Sequence, residues 1–144
     1  MVTWNDFYLT GIEMIDDQHK HLVELTNQLF QACLLGGNTL DLVFRDTMSR
    51  LVEYVRMHFS TEVAMLQRIN YPELAAHKFE HDSFIQRVLQ ATRNYRDEKF
   101  VPNKFVRFLR DWVHSHIAHS DRLYASFIEE QMKKNAINPA DVTG

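Results

Sequence analysis

Histidine and carboxylate residues recur within the apolar patterns of this chain, and both side-chain types are common ligands of transition metals. Two pairs have the spacing that places both members on one face of a helix: His58 with Glu62, and His77 with His81. Each pair alone is weak evidence, because 8 His and 19 acidic residues produce such pairs by chance. The potential ligands on predicted buried faces number seven: His19, His58, Glu62, His77, His81, His116 and Asp121.

The composition of this ligand set indicates which metal it would hold. Seven side chains are too many for one tetrahedral zinc, and no thiolate is among them. Imidazole mixed with carboxylate suits iron. If two octahedral irons share both carboxylates and one bridging oxo or hydroxo group, five imidazole, four carboxylate and two bridge bonds fill eleven of twelve positions. One position would then stay open to an external ligand.

Long helices are the elements that would position these side chains. Only four Gly and three Pro occur, which favours a few long helices over many short strands. The interruptions at 36–38, 70–72 and 97–102 predict helices over about 16–35, 40–68, 72–96 and 102–134. An N-terminal arm, 1–15, and a polar tail, 135–144, flank them. We therefore predict an all-α fold, an antiparallel up-down-up-down four-helix bundle with an N-terminal arm, as a single domain over 1–144.

Short connections make consecutive helices antiparallel, so distance from a turn gives the height of a residue in the bundle. His19 precedes the first turn at Gly36 by about 17 residues, and His58 and Glu62 follow Leu40, the predicted start of the next helix, by about 18 and 22. His81 and His116 lie about 16 residues before and about 14 after the third interruption. All seven residues are thus predicted to converge in one layer.

A layer of five imidazoles and two carboxylates in an apolar core has a heavy desolvation cost unless cations neutralise it. A single inward histidine is more often a satisfied core residue, but seven convergent groups favour metal. By contrast, His21 points away from the apolar stripe of its helix, and His114 and His119 are predicted to lie at the surface.

Composition and charge limit the partners. A net charge of -3 with mixed signs gives no basic patch for nucleic acid or for an anionic membrane. No run approaches the ~20 apolar residues of a membrane span, and the N-terminus lacks the pattern of a signal peptide. We expect a cytoplasmic protein without nucleic-acid or membrane partners. Cys33, the one cysteine, is interpreted as a small core residue.

Four segments, GIEMIDDQHKHLVELTNQL, HFSTE, YPELAAHKFEHDSF and WVHSHIAHSD, resemble the bacterial hemerythrins, and the likeness extends over essentially the whole chain. The resemblance implies that the seven residues above are iron ligands. It implies that His77, His81 and His116 saturate one iron, that His19 and His58 leave the other open, and that Glu62 and Asp121 bridge the two. It further implies an apolar oxygen pocket formed by Leu22, Phe59, Trp112, Val113 and Ile117. Tyr124 is a candidate for a hydrogen bond to a bridging carboxylate.

The function implied is reversible dioxygen binding, for storage, delivery or sensing, and not catalysis; a protein partner would be needed to read a sensor. The alternative is a di-iron oxidoreductase, such as a peroxide or nitric oxide reductase or a ferroxidase. Ferritin-like enzymes of that kind use Glu-x-x-His pairs, and this sequence contains none. Five neutral imidazoles also give the irons fewer anionic ligands, which disfavours high-valent iron.

Overall fold

The computed structural model describes residues 2–143; Met1 and Gly144, the ends of the predicted domain, lie outside this range. The main chain forms helices α1 (Glu13–Leu35), α2 (Gly37–Arg68), α3 (Leu74–Arg96), α4 (Pro102–Trp112), α5 (Arg122–Lys133) and α6 (Pro139–Thr143). A π-helical segment, Val113–Asp121, joins α4 to α5, and a short 3-10 helix, Asp6–Tyr8, precedes α1. The long helices form the predicted antiparallel bundle, in which α1 packs against α2 and α4, and α2 packs against α3.

The turn between α1 and α2 is tighter than the sequence indicated. Gly36 alone separates the two helices, and its φ of 62° is a left-handed value that favours glycine. Its N–H donates to the carbonyl of Ala32 at 2.9 Å and ends α1. Helix α2 then begins at Gly37, so the predicted start at 40 was three residues late.

The start of α3, after the connection from α2, also differs from the prediction. Asn70 adopts a φ of 55°, and the N–H of Tyr71 donates to the carbonyl of Leu66 at 3.0 Å, which closes the end of α2. Pro72 lies in this turn, and α3 begins two residues later, at Leu74. The prediction that Pro72 opens the helix was therefore wrong, although proline did mark the boundary.

The predicted arm and tail both contain helix. Residues 13–15 of the arm are the first turn of α1, and Asp16 in that turn is buried. The Asp16 carboxylate accepts hydrogen bonds from the backbone and hydroxyl of Thr10, at 2.7 and 2.8 Å, and from the N–H of Gly11. In the tail, α6 buries Val142, and the carbonyl of Asp141 accepts a hydrogen bond from Arg68.

Two apolar clusters fill the bundle. The large cluster, from residues of every long helix, includes Leu29, Phe44, Leu51, Val88 and Leu109 and lies towards the α1–α2 turn. The small cluster lies at the other end of the bundle and comprises Ile12, Ile15, Met65, Leu66, Ile69, Tyr71, Tyr124, Ile128 and Val142. Between residues 2 and 143, no helix has the length and apolar character needed to cross a bilayer.

Candidate metal centre

The seven predicted ligands converge between the two apolar clusters. One comes from α1, two from α2, two from α3 and two from the π-helical segment, and each is at most 4% exposed. They are His19, His58, Glu62, His77, His81, His116 and Asp121. A regular helix would separate His116 and Asp121 by ~140°. The wider π-helical turn carries both into the core.

Glu62 lies between two sets of histidines and gives one carboxylate oxygen to each. Its Oε1 is 3.1 Å from Nε2 of His19 and 3.1 Å from Nε2 of His58. Its Oε2 is 3.2 Å from Nε2 of His77 and 3.1 Å from Nε2 of His81. The single carboxylate can therefore bridge two cations.

The Asp121 carboxylate likewise directs one oxygen to each of the two sets of histidines. Its Oδ2 lies 3.0 Å from Nε2 of His19, and its Oδ1 lies 3.1 Å from Nε2 of both His77 and His116. Potential ligand atoms fall into two groups that share Glu62, and within each group all lie within 4.8 Å of one another. We call the group containing His77, His81 and His116 the three-His group, and that containing His19 and His58 the two-His group.

The unpaired atoms in this layer fit metal ions. Nε2 of His81, Nε2 of His116 and both carboxylate oxygens of Asp121 are buried without a hydrogen-bond partner. Buried polar atoms are rarely left in this condition. Neighbouring ligands placed about 2.1 Å from an octahedral ion lie about 3.0 Å apart, close to the nitrogen–oxygen distances here. The donor set of imidazole and carboxylate is appropriate for iron.

Without metal, protons on the imidazoles would balance the carboxylates. Burial lowers the pKa of His19, but the adjacent carboxylates of Asp121 and Glu62 outweigh it and raise the pKa to about 9. The same opposing effects raise the pKa of His77 to about 9 and that of His116 to about 10. For His81, burial dominates and lowers the pKa.

The carboxylates respond in the opposite sense. Burial raises the pKa of Glu62 and Asp121, but the surrounding histidines exceed that effect and hold both pKa values well below the usual range. Both side chains are therefore anionic acceptors at neutral pH. Because a metal must displace the protons on Nε2, metal binding at this site would release protons.

Hydrogen bonds from outside the seven orient three of them. The fully buried Tyr124 hydroxyl donates a hydrogen bond to Glu62 Oε1 at 3.0 Å. The sequence had made Tyr124 a candidate for a hydrogen bond of this kind. The other two contacts were missed. Gln18 Oε1 lies 2.7 Å from His58 Nδ1, and Glu80 Oε2 lies 2.5 Å from His116 Nδ1. Gln18 directly precedes the ligand His19, and Glu80 directly precedes the ligand His81. A polar residue next to a ligand histidine is the one sequence signal that could have identified them.

The predicted pocket residues divide into two sets. Leu22, Val113 and Ile117 are buried to 1% in the large cluster, next to the ligand layer. Phe59 instead stacks on His81, with ring centroids 3.7 Å apart and planes 4° apart. Trp112 stacks on His116 at 4.4 Å and 14°. The two aromatic residues therefore cover histidines of the three-His group.

Three remaining histidines lie outside the centre, as the sequence indicated. His21, His114 and His119 are exposed, and His21 contacts Glu24 at 3.5 Å on the surface of α1.

Comparisons with known proteins agree with this arrangement. A family model described as the hemerythrin HHE cation binding domain matches residues 10–128. The chain is 31% identical over 126 residues to a bacteriohemerythrin of Methylococcus capsulatus, covering 86% of this chain and 94% of that protein. It is 33% identical over 132 residues to a bacteriohemerythrin of Clostridium acetobutylicum, covering 86% of this chain and 98% of the relative. A crystal structure of wild-type hemerythrin superposes with a TM-score of 0.77 at 30% identity, over 88% of this chain and 96% of the other.

Proposed function

The chain belongs to the hemerythrin family, and we propose that it binds dioxygen reversibly at two iron ions held by its seven convergent side chains. One observation carries the proposal: both carboxylates present one oxygen to each of two unequal sets of histidines. Three imidazoles on one side and two on the other would leave the second iron with a free position. An iron pair supplies reversible two-electron transfer to dioxygen.

The protein supplies a fixed and largely apolar site for that chemistry. Glu62 and Asp121, fully buried, would hold the irons at a constant separation. Leu22, Val113 and Ile117, each within three positions of a ligand histidine, would exclude water from the site, and water promotes side reactions at such sites. Tyr124 would keep Glu62 oriented through its hydrogen bond. These roles are those of a binding protein, and no substrate other than dioxygen is required.

Visible spectroscopy tests the proposal directly. Purified protein should contain two irons per chain, because the ligands form two groups that share Glu62. After reduction, air should produce a visible absorption band that disappears under argon and returns with air. The cycle should repeat without loss of iron.

A pair of histidine variants on α1 provides the control. His19→Ala removes a member of the two-His group and should abolish the oxygen-dependent band, whereas His21→Ala, two residues away and exposed, should leave it intact. One iron per chain, or zinc in excess of iron, would contradict the di-iron centre. Irreversible oxidation of the wild-type protein, with turnover of peroxide or nitric oxide, would instead assign the oxidoreductase function.

A further inference from the structure

Glu80 makes two contacts that cross from α3 to the π-helical segment. Its Oε2 lies 2.5 Å from Nδ1 of His116, and its Oε1 accepts a hydrogen bond from the Ser120 hydroxyl at 3.0 Å. The Glu80 side chain is 42% exposed, whereas His116 is 2% exposed. One carboxylate thus holds two residues of the same π-helical turn from the neighbouring helix.

The direction of the contact to His116 follows from the position of the other ring nitrogen. Nε2 of His116 faces Asp121 at 3.1 Å and must present a lone pair if it binds iron. The hydrogen therefore resides on Nδ1, which donates to Glu80. A carboxylate partner of this kind fixes the tautomer and the ring orientation of a ligand histidine and increases its basicity.

The outer partners differ between the two groups of histidines. In the two-His group, Nδ1 of His58 is paired with the neutral amide oxygen of Gln18, and Nδ1 of His19 is buried without a hydrogen-bond partner. In the three-His group, Nδ1 of His81 is likewise buried without a partner, but Nδ1 of His116 is paired with a full carboxylate. Trp112 also stacks on the His116 ring, so that its orientation is fixed from two directions.

The π-helical geometry makes this support necessary. π-helical turns are rare and occur mostly as single turns within α-helices, frequently at functional sites. This one spans Val113–Asp121, and the centre depends on it to bring His116 and Asp121 to the same side. Glu80 contacts the segment at 116 and at 120, immediately before Asp121.

We propose that Glu80 is a positioning residue that fixes His116 and the π-helical turn, and thereby makes the three-His group the tighter of the two iron positions. The inference rests on the proposed di-iron centre. It assigns to Glu80 no contact with iron or dioxygen.

The test is iron release from the loaded protein into an excess of chelator. Removing an outer partner of a metal ligand typically lowers metal affinity roughly tenfold to a hundredfold. In Glu80→Ala we therefore expect one of the two irons to leave roughly tenfold to a hundredfold faster than in the wild type. Glu80→Gln retains an acceptor for Nδ1 without the charge, and should give an intermediate rate. Ser120→Ala, which removes the second contact only, should have a smaller effect.

Mössbauer spectra of protein loaded with iron-57 identify the position that changes. The signal of one iron should weaken or shift in Glu80→Ala and recover in part in Glu80→Gln, while the signal of the other iron stays as in the wild type. A role limited to folding would alter both. Asp82→Asn is the matched control, because Asp82 is an exposed carboxylate two residues further along α3. Circular dichroism of the metal-free variants verifies that the helices form.

Equal release rates and unchanged spectra in Glu80→Ala and Asp82→Asn would overturn the proposal, as would faster loss of both irons together. The outcome is separable from that of the proposed function, since iron release is measured without oxygen. If the wild type holds two irons but shows no reversible band, oxygen binding fails while the role of Glu80 is still decided. A wild-type protein with fewer than two irons would overturn both.

Discussion

Tyr124 belongs to the small apolar cluster, and its side chain also donates a hydrogen bond to a ligand of the candidate centre. Its ring is fully buried, and burial together with the charges of Glu62 and Asp121 raises the pKa of its hydroxyl well above the ordinary value. The phenol therefore remains protonated and donates to Glu62 throughout the accessible pH range. Removing that donor leaves a buried carboxylate oxygen with one partner fewer.

We predict that Tyr124→Phe lowers the free energy of unfolding by about 1.5–3 kcal/mol, the range for hydrogen bonds to charged groups, with two irons still bound. Denaturant titration of the loaded protein measures the change. Tyr71→Phe is the control, because Tyr71 is a buried neighbour in the same cluster with its ring 6.4 Å from that of Tyr124. A loss of the same size in both variants would show that the Glu62 contact contributes nothing specific.

Ile117 is the residue through which the apolar pocket is best tested, because it is 1% exposed and follows the ligand His116 directly. Ile117→Gln should leave iron content near the wild-type value but shorten the lifetime of the oxygen-dependent absorption band, since a polar group in the proposed pocket would admit water. Ile117→Leu keeps the site apolar and should retain the longer lifetime. Equal decay rates for the two variants at equal iron content would remove Ile117 from the pocket.

Among the elements, the π-helical segment was specified by the sequence only in part. The five-residue spacing of His116 and Asp121 required either two shoulders of a regular helix or a local π-bulge. Spacing alone does not choose between these, because both place the residues near the core. Side chains from other helices also contact the segment, and the sequence did not indicate the two Glu80 contacts.

The segment should be the helix that depends most on metal. Hydrogen exchange is expected to accelerate more at the amides of 113–121 than at those of α1 or α2 when iron is removed, because ligation through His116 and Asp121 would hold a helical geometry that rarely forms on its own. Exchange followed by mass spectrometry, with and without iron, makes the comparison. Uniform acceleration across all helices would instead show that the bundle opens as one unit.

Helix ends were predicted less accurately than helix faces, for identifiable physical reasons. The buried stripe of α2, from Phe44 to Met65, follows directly from the 3.6-residue period. Its start does not, because Gly36 can end one helix and lead straight into the next. Helix α6 was missed because the five residues from Pro139 show no periodicity of their own, and tertiary contacts of Val142 stabilise them.

Over the whole molecule, the predicted convergence of seven residues depended on simple geometry. Counting residues from the turns works when helices are uninterrupted and connections are short, and both conditions hold for α1, α2 and α3. Hydrogen bonds that orient the ligands could not be derived in this way. Gln18 and Glu80 lie beside the buried stripes, where sequence periodicity does not separate a supporting residue from a solvated one.

The charge of this buried layer determines how the stability of the metal-free protein varies with pH. In the folded metal-free protein, the pKa values of His19, His77 and His116 are raised to about 9 to 10. Protonation of these histidines therefore stabilises the folded state, and the contribution is complete below the histidine pKa of the unfolded chain, about 6.5. That contribution is lost as pH rises through the folded values. The lowered pKa values of Glu62 and Asp121 give stability that is present above about pH 4 and lost as pH falls.

The Tm of the metal-free protein should therefore decrease between about pH 6.5 and 9.5. The iron-loaded protein should change less over the same range, because its ligand imidazoles carry no proton on Nε2 to lose. Differential scanning calorimetry of both forms measures the two profiles. A Tm of the metal-free form that rises with pH would contradict the protonation states assigned to these three histidines.

The spread of the ligands along the chain, from His19 in α1 to Asp121 in the π-helical segment, has a consequence for synthesis on the ribosome. Domains fold as units, and the N-terminal parts of a chain emerge first. A nascent chain that has released α1 and α2 carries His19, His58 and Glu62, which is less than either complete ligand group. The three-His group and the Asp121 bridge form only after the π-helical segment has emerged. Neither iron position can therefore be complete before the polypeptide is nearly finished.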